Sequence, residues 1–150
     1  MKSPTDVRDY FEAIATDLGM SFQYGSSERI LNRQSSNLTY PCLWLEKPDI
    51  SHFRSGGLKR VFESAFVVLI SCAPDDYEAI DTAQNESDIL TEKVLNHLED
   101  DAEAPAQFEF DREQCQSDVI ESWSADADTG WRTEFRLTLG VICETDAYWA

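Results

Sequence analysis

An α+β fold, an antiparallel or mixed β-sheet with two helices packed on one face in the order α-β-β-α-β-β, is predicted by three features of this 150-residue sequence. From Trp131 the residues alternate strictly. Trp131, Thr133, Phe135, Leu137, Leu139 and Val141 share one face, and Arg132, Glu134, Arg136 and Thr138 take the other. Successive side chains of a strand point to opposite sides, so this is a half-buried strand with one wet face. Lys59–Ala73 also begins by alternating, then turns apolar on both faces through Phe66-Val67-Val68-Leu69-Ile70. Such a run marks a central strand under cover on both sides, by a helix or by another subunit. Two further segments, about 4–18 and 80–99, keep helical spacing and supply the cover that a one-sided sheet needs.

Taken in order, Ser3-Pro4-Thr5-Asp6 is a helix start, with a serine cap, proline at the first helical position and acid in the first turn. Val7, Tyr10, Phe11, Ile14 and Leu18 fall on one stripe that reads as core, and Gly19 is placed to end the helix. Met20–Tyr24 is a short extended piece. Gly25–Asn37 is a polar, serine-rich excursion around Ile30-Leu31, read either as a solvated loop or short helix, or as a contact arm using Arg29 and Arg33. Tyr40–Pro48 reads as a strand with prolines where no ladder donor is needed. Asp49–Gly57 reads as a connection, with Gly56-Gly57 as its reversal and His52 and Arg54 at its tip.

After the central strand, Pro74-Asp75-Asp76 marks the change to helix, with aspartate as the cap. Ile80, Ala83, Ser87, Leu90, Val94 and Leu98 form its stripe, and Gln84-Asn85-Glu86-Ser87 is a place for a kink. Its acidic end (Glu99, Asp100, Asp101, Glu103) opposes the helix dipole and favours fraying before Pro105. Gln107–Asp111 and Ser117–Trp123 are strands, or one strand interrupted around Glu113–Gln116. The second pairs with Trp131–Cys143 through a turn at Asp126–Gly130.

A chain of this length makes one domain, residues 1–150, large enough to bury about 70% of its unfolded surface. With 42% hydrophobic residues, and neither an apolar signal core nor an apolar run of membrane length, it is expected to be a folded, soluble, unexported globule. The four cysteines lie far apart, in or beside strands, and read as buried thiols, although sequence alone leaves disulfide pairing open. The charge is the outlier: 29 acidic residues against 12 basic give −17. Duplex nucleic acid is held by lysine and arginine on phosphates, so tight nucleic-acid binding is disfavoured. Acidity of this order serves solubility or a salty cytoplasm, or else makes a surface that must not hold DNA or that mimics it.

No motif carries reaction chemistry. Asp126-Ala-Asp128-Thr-Gly130 departs from a calcium loop, with glycine fifth and Leu137 at the twelfth position. Gly-x-Ser-x-Gly and the phosphate-binding glycine loop do not occur, and neither His52 nor His97 neighbours a nucleophile in a recognisable motif. No catalytic, cofactor-binding or metal-binding residue is predicted. Arg29, Arg33, His52 and Arg54 are the interface candidates, the arginines because guanidinium groups in an acid-rich chain suit carboxylate contacts and His52 for its place beside Arg54.

The element order, ending in Asp-x-Asp-Thr-Gly-Trp-Arg-Thr-Glu-Phe-Arg-Leu-Thr-Leu, together with Tyr40–Leu45, resembles the small tail-completion proteins of tailed phages and related contractile particles. In the tail-terminator-like group an α+β fold of this kind assembles into a ring, commonly of six, that caps the tail tube. The resemblance implies a structural homo-oligomer near the head–tail junction of a virion or tail-like particle, assembled in the host cytoplasm. Its partners would be tail tube or neck proteins, with no cofactor and no membrane. The alternative is a stand-alone acidic binding module that occupies a basic partner, by resembling nucleic acid.

Overall fold

The computed structural model describes residues 1, 3–25, 38–53, 59–103, 108–121 and 128–140. Among these residues are two α-helices and a mixed seven-stranded sheet, an α+β architecture. Helix α1 (Pro4–Asp17) begins as its sequence dictates: the Ser3 hydroxyl accepts from Asp6 N–H, and the Asp6 carboxylate accepts from Ser3 N–H. This reciprocal pair satisfies two of the donors that a helix start leaves orphaned. Past its end, Gly19 takes φ +74°, a left-handed conformation that suits glycine. Helix α2 (Tyr77–Glu103) is capped by Asp76, whose carboxylate accepts from Ala79 N–H.

The strands are β1 (Ser21–Tyr24), β2 (Cys42–Leu45), β3 (Asp49–Phe53), β4 (Lys59–Ser71), β5 (Glu109–Phe110), β6 (Gln116–Ile120) and β7 (Asp128–Gly140). The two 13-residue strands β4 and β7 pair antiparallel along their whole length and form the spine. Each carries two short strands end to end on its other side. β2 and β3 lie against β4, and β5 and β6 against β7. β1 adds parallel to β2 and makes the far edge.

Both helices lie on one face. Phe62, Phe66, Val68, Phe135, Leu137 and Leu139 turn toward them and are buried with Val7, Phe11, Ile14, Ala83, Val94 and Leu98. Where α1 crosses the spine, the rings of Phe11, Phe66 and Phe135 meet with centroids 5.0–5.9 Å apart. The two-sided apolar run of β4 is accounted for by a second cluster on the opposite face, in which Val67 and Leu69 pack with Cys42 and Trp44 beneath Leu38 and Tyr40. Trp44 Nε1–H donates to the Gly25 carbonyl at 3.1 Å, and Tyr40 O–H to Asp128 at 3.0 Å.

Several sequence expectations are corrected. Asp49–Phe53 is a strand and not part of a connection, held by pairing with the first half of β4, with Ile50 packed on the core. Of Tyr40–Pro48, only Cys42–Leu45 is strand. Helix α2 runs unbroken through residues 84–87, because Ser87 is buried and its hydroxyl is used by the sheet. It also extends to Glu103 despite its acidic end, which is tied down. Tyr10 O–H donates to Asp101 at 2.6 Å, and Arg112 bonds Glu92, Asn96 and Glu99. Asp128–Gly130 belongs to β7 and not to a turn. Gly130 is needed there because a Cβ would stand 1.9 Å from the Val68 carbonyl oxygen.

Candidate functional site

The face of the sheet turned away from the helices carries the most developed polar geometry. Alternation along β7 sends Arg132, Glu134 and Arg136 to this side, opposite Val67, Ala65 and Glu63 of β4. Arg132 is the hub. Its Nε donates to Glu46 at 2.7 Å, a second nitrogen reaches the other Glu46 oxygen at 3.3 Å, and a third meets Glu134 at 2.9 Å. The Glu46 side chain is only 15% exposed, so this contact is better shielded than an ordinary surface pair. The hydrogen bond to Glu46 raises the Arg132 pKa further above its already high value. Arg136 pairs with Glu63 directly across the ladder at 2.8 Å, and Lys59 reaches Glu109 at 2.9 Å.

Glu46, Glu63, Arg132, Glu134 and Arg136, with Lys47, Asp49, Ser64 and Gln114, line an open groove of about 520 Å³. The Ser64 hydroxyl donates to the Glu46 carbonyl at 2.7 Å, which gives it a structural partner. The groove is therefore a charge-compensated surface suited to contact. The wet-face parity of Arg132, Glu134 and Arg136 was readable from the alternation. The tie to Glu46 was not, although Glu46 shares its parity with Trp44.

Of the predicted interface residues, Arg29, Arg33 and Arg54 lie outside the described residues. His52 is exposed on β3 and pairs in register with Arg60. That parity puts His52 on the helix side of the sheet, away from the groove, whereas Asp49 lines the groove.

The helix layer has the opposite character. Helix α2 carries nine acids against one lysine, and α1 carries four against one arginine. None of these thirteen carboxylates is buried. Across the seam between the helices, His97 Nε2 lies 3.2 Å from Asp17, close to the Tyr10–Asp101 bond. Burial, and then the Asp101 hydrogen bond, hold the Tyr10 phenol well above its usual range. Two apolar side chains stand exposed along α2, Tyr77 and Ile89.

Among the cysteines, Cys42 is buried and Cys72 and Cys115 are half-buried. Burial pushes the Cys72 thiol up, helped by nearby Asp128, and takes Cys115 to about 11. A hollow between β7 and the start of α2 brings Cys72, Asp81, Glu121 and Asp128 together. Even so, no group of His, Cys, Asp and Glu among the described residues has the arrangement to hold a metal ion. Among the same residues no helix is long and apolar enough to cross a membrane. No protein-family model matches the chain, and no curated protein matches it.

Proposed function

We propose that this chain is a structural subunit of a phage tail or tail-like particle, one copy of a ring that completes or caps the tail tube near the head–tail junction. The observation that carries the reading is the segregation of charge between the two layers. Thirteen carboxylates, twelve of them exposed and Glu99 half-buried, cover the helices with one lysine and one arginine, whereas ion pairs compensate the charges on the far face of the sheet. A ring that turned its helix layer toward the lumen would line the passage with negative charge, and DNA phosphates would find nothing to hold them. In this reading the partners are further copies of the chain and tail tube or neck proteins. No catalytic step is assigned to it, and it acts within the virion after assembly in the host cytoplasm.

The same segregation also favours a second reading, an acidic module whose helix layer occupies a basic partner in place of nucleic acid. Salt separates the two. Like-charge crowding opposes assembly of acidic copies, and salt shortens its reach from a Debye length of about 8 Å at physiological strength to about 3 Å at 1 M. A ring should therefore close more readily as ionic strength rises, whereas a module should release its basic partner over that range. Light scattering across a salt series, with and without magnesium and followed by negative-stain imaging, should show annular particles at high salt. A strict monomer at every condition and concentration would remove the ring reading.

A further inference from the structure

Resting on the ring reading, we infer how the copies join: strand β6 of one copy adds edge to edge onto strand β1 of the next, making one sheet continuous across subunits. The starting observation is the hydrogen bonding around Ser87. Trp131 N–H points to the β4 side, where it meets the Ser87 hydroxyl at 3.1 Å, and that hydroxyl in turn donates to Val68 O at 2.7 Å. Backbone groups of an antiparallel strand alternate in direction, so Val119, which faces Trp131 in the β6–β7 register, has its N–H and C=O turned outward. Ser117 does the same. Among the described residues nothing pairs with that outer edge, and Gln116–Val119 are all exposed, Val119 by 43%. An open strand edge of this kind is a template for another strand.

Among the described strands, β1 forms the other end of the sheet. Ser21 N–H bonds Pro41 O and Gly25 N–H bonds Leu45 O, so Ser21 and Gln23 face β2 while Phe22 and Tyr24 present their backbone groups outward. Three features then agree. First, β1 is Ser-Phe-Gln-Tyr, with no charge in a chain of net charge −17, so it is an edge that acidic β6 can approach without like-charge repulsion. Pairing β6 with another β6 would instead bring Asp118 of each copy to the same seam. Second, strand directions through β1, β2, β4, β7 and β6 leave β6 running opposite to β1. A head-to-tail operator that keeps the helices on one side therefore makes the new pair antiparallel, the stabler kind. Third, with Val119 set against Phe22 and Asp118 against Gln23, all four residues of β1 are paired. Phe22 and Val119 then share the helix side, and Asp118 and Gln23 the other. Because the two edges lie at opposite ends of the sheet, the contact is heterologous and closes only by rotation into a ring.

The test compares self-association of the full chain with that of two edge variants. Val119→Pro removes an outward donor, which an edge position tolerates, and Val119→Lys places a charge at the seam. Each is expected to weaken self-association about tenfold or more, with an unchanged melting temperature for the monomer. In a separate arm, Asp118→Cys combined with Gln23→Cys should yield covalent multimers on oxidation, since these residues fall at the close, non-hydrogen-bonded pair. Neither single cysteine variant should do so. Rings that form equally well from Val119→Lys chains, with no cross-linking of the double variant, would overturn the edge contact while leaving the ring reading in place. A wild-type chain that stays monomeric throughout would overturn both.

Discussion

Gly130 and Val68 approach so closely that no side chain fits between them: a Cβ on Gly130 would lie 1.9 Å from the Val68 carbonyl oxygen. That carbonyl accepts from the Ser87 hydroxyl, so a helix side chain is seated where the two spine strands meet. Gly130→Ala is expected to destabilise the fold by about 3 kcal/mol or more, the upper range for forced overpacking. Ser87→Ala leaves the Trp131 N–H and the Val68 carbonyl short of a partner and should cost about 1–3 kcal/mol. Urea titrations of both variants check this, and a Gly130→Ala protein as stable as wild type would contradict the close approach.

The aromatic triad gives a second expectation. Phe135 touches both Phe11 and Phe66, and Leu137 is fully buried beside it. Phe135→Ala should cost about 3–5 kcal/mol and Leu137→Ala about 2–5, the usual range for buried truncations. Thermal melts decide, and no loss for either would mean that this face is not core.

These two expectations differ in how readable they were. The period-two pattern of β7 identified Phe135 and Leu137 as core because alternation is a local signal carried by one strand. Ser87 fell on the stripe of α2 for the same reason. The role of Gly130 was invisible, since a close approach between strands far apart in sequence leaves no local trace, and Asp-x-Asp-Thr-Gly reads equally well as a turn. Strand β3 was missed because Asp-Ile-Ser-His-Phe mixes polar and apolar residues over only five positions, too few for a period to show. In the groove, the parity of Arg132 was legible, but its tie to Glu46 spans 86 positions and depends on how β2 and β7 flank β4.

That tie leads to a third prediction. Removing one partner of a shielded ion pair leaves the other charge poorly solvated, whereas removing both does not. Arg132→Met should cost about 1–3 kcal/mol, and adding Glu46→Met should recover part of that loss. A double-mutant cycle by chemical denaturation checks it. A double variant less stable than the sum of the singles would contradict it.

Cys115 supplies the pH dependence. Its thiol titrates at about 11 in the folded chain, above the ordinary value of 9.0, so the folded state holds the proton more tightly. Stability from this group is fully present below about pH 9 and is lost as pH rises toward 11, with Tyr10 acting in the same direction. At pH 8 the thiolate should be about a hundredfold scarcer than in an ordinary thiol, and alkylation by iodoacetamide correspondingly slow. Mass spectrometry of the Cys115 peptide reads this directly, and labelling as fast as in the unfolded chain would refute it.

Arg29 and Arg33 bear on assembly. If they meet acidic surface on a neighbouring subunit, reversing both to glutamate should weaken self-association while leaving the melting temperature nearly unchanged. Light scattering on the double variant gives the answer, and undiminished assembly would leave the excursion without a contact role.

The pairing of β4 with β7 also sets the order in which the chain can fold. The 56 residues from 72 to 127 separate the two strands, so the spine closes only after a long loop has been brought together. During synthesis β4 leaves the ribosome well before its main partner exists, with Phe66–Ile70 apolar on both faces and β2 and β3 available to only one of its edges. Non-local pairing of this kind is slow and leaves an aggregation-prone strand waiting. Of the described strands the last to be made completes the centre of the sheet, so until β7 arrives the apolar run of β4 has one edge and much of both faces uncovered.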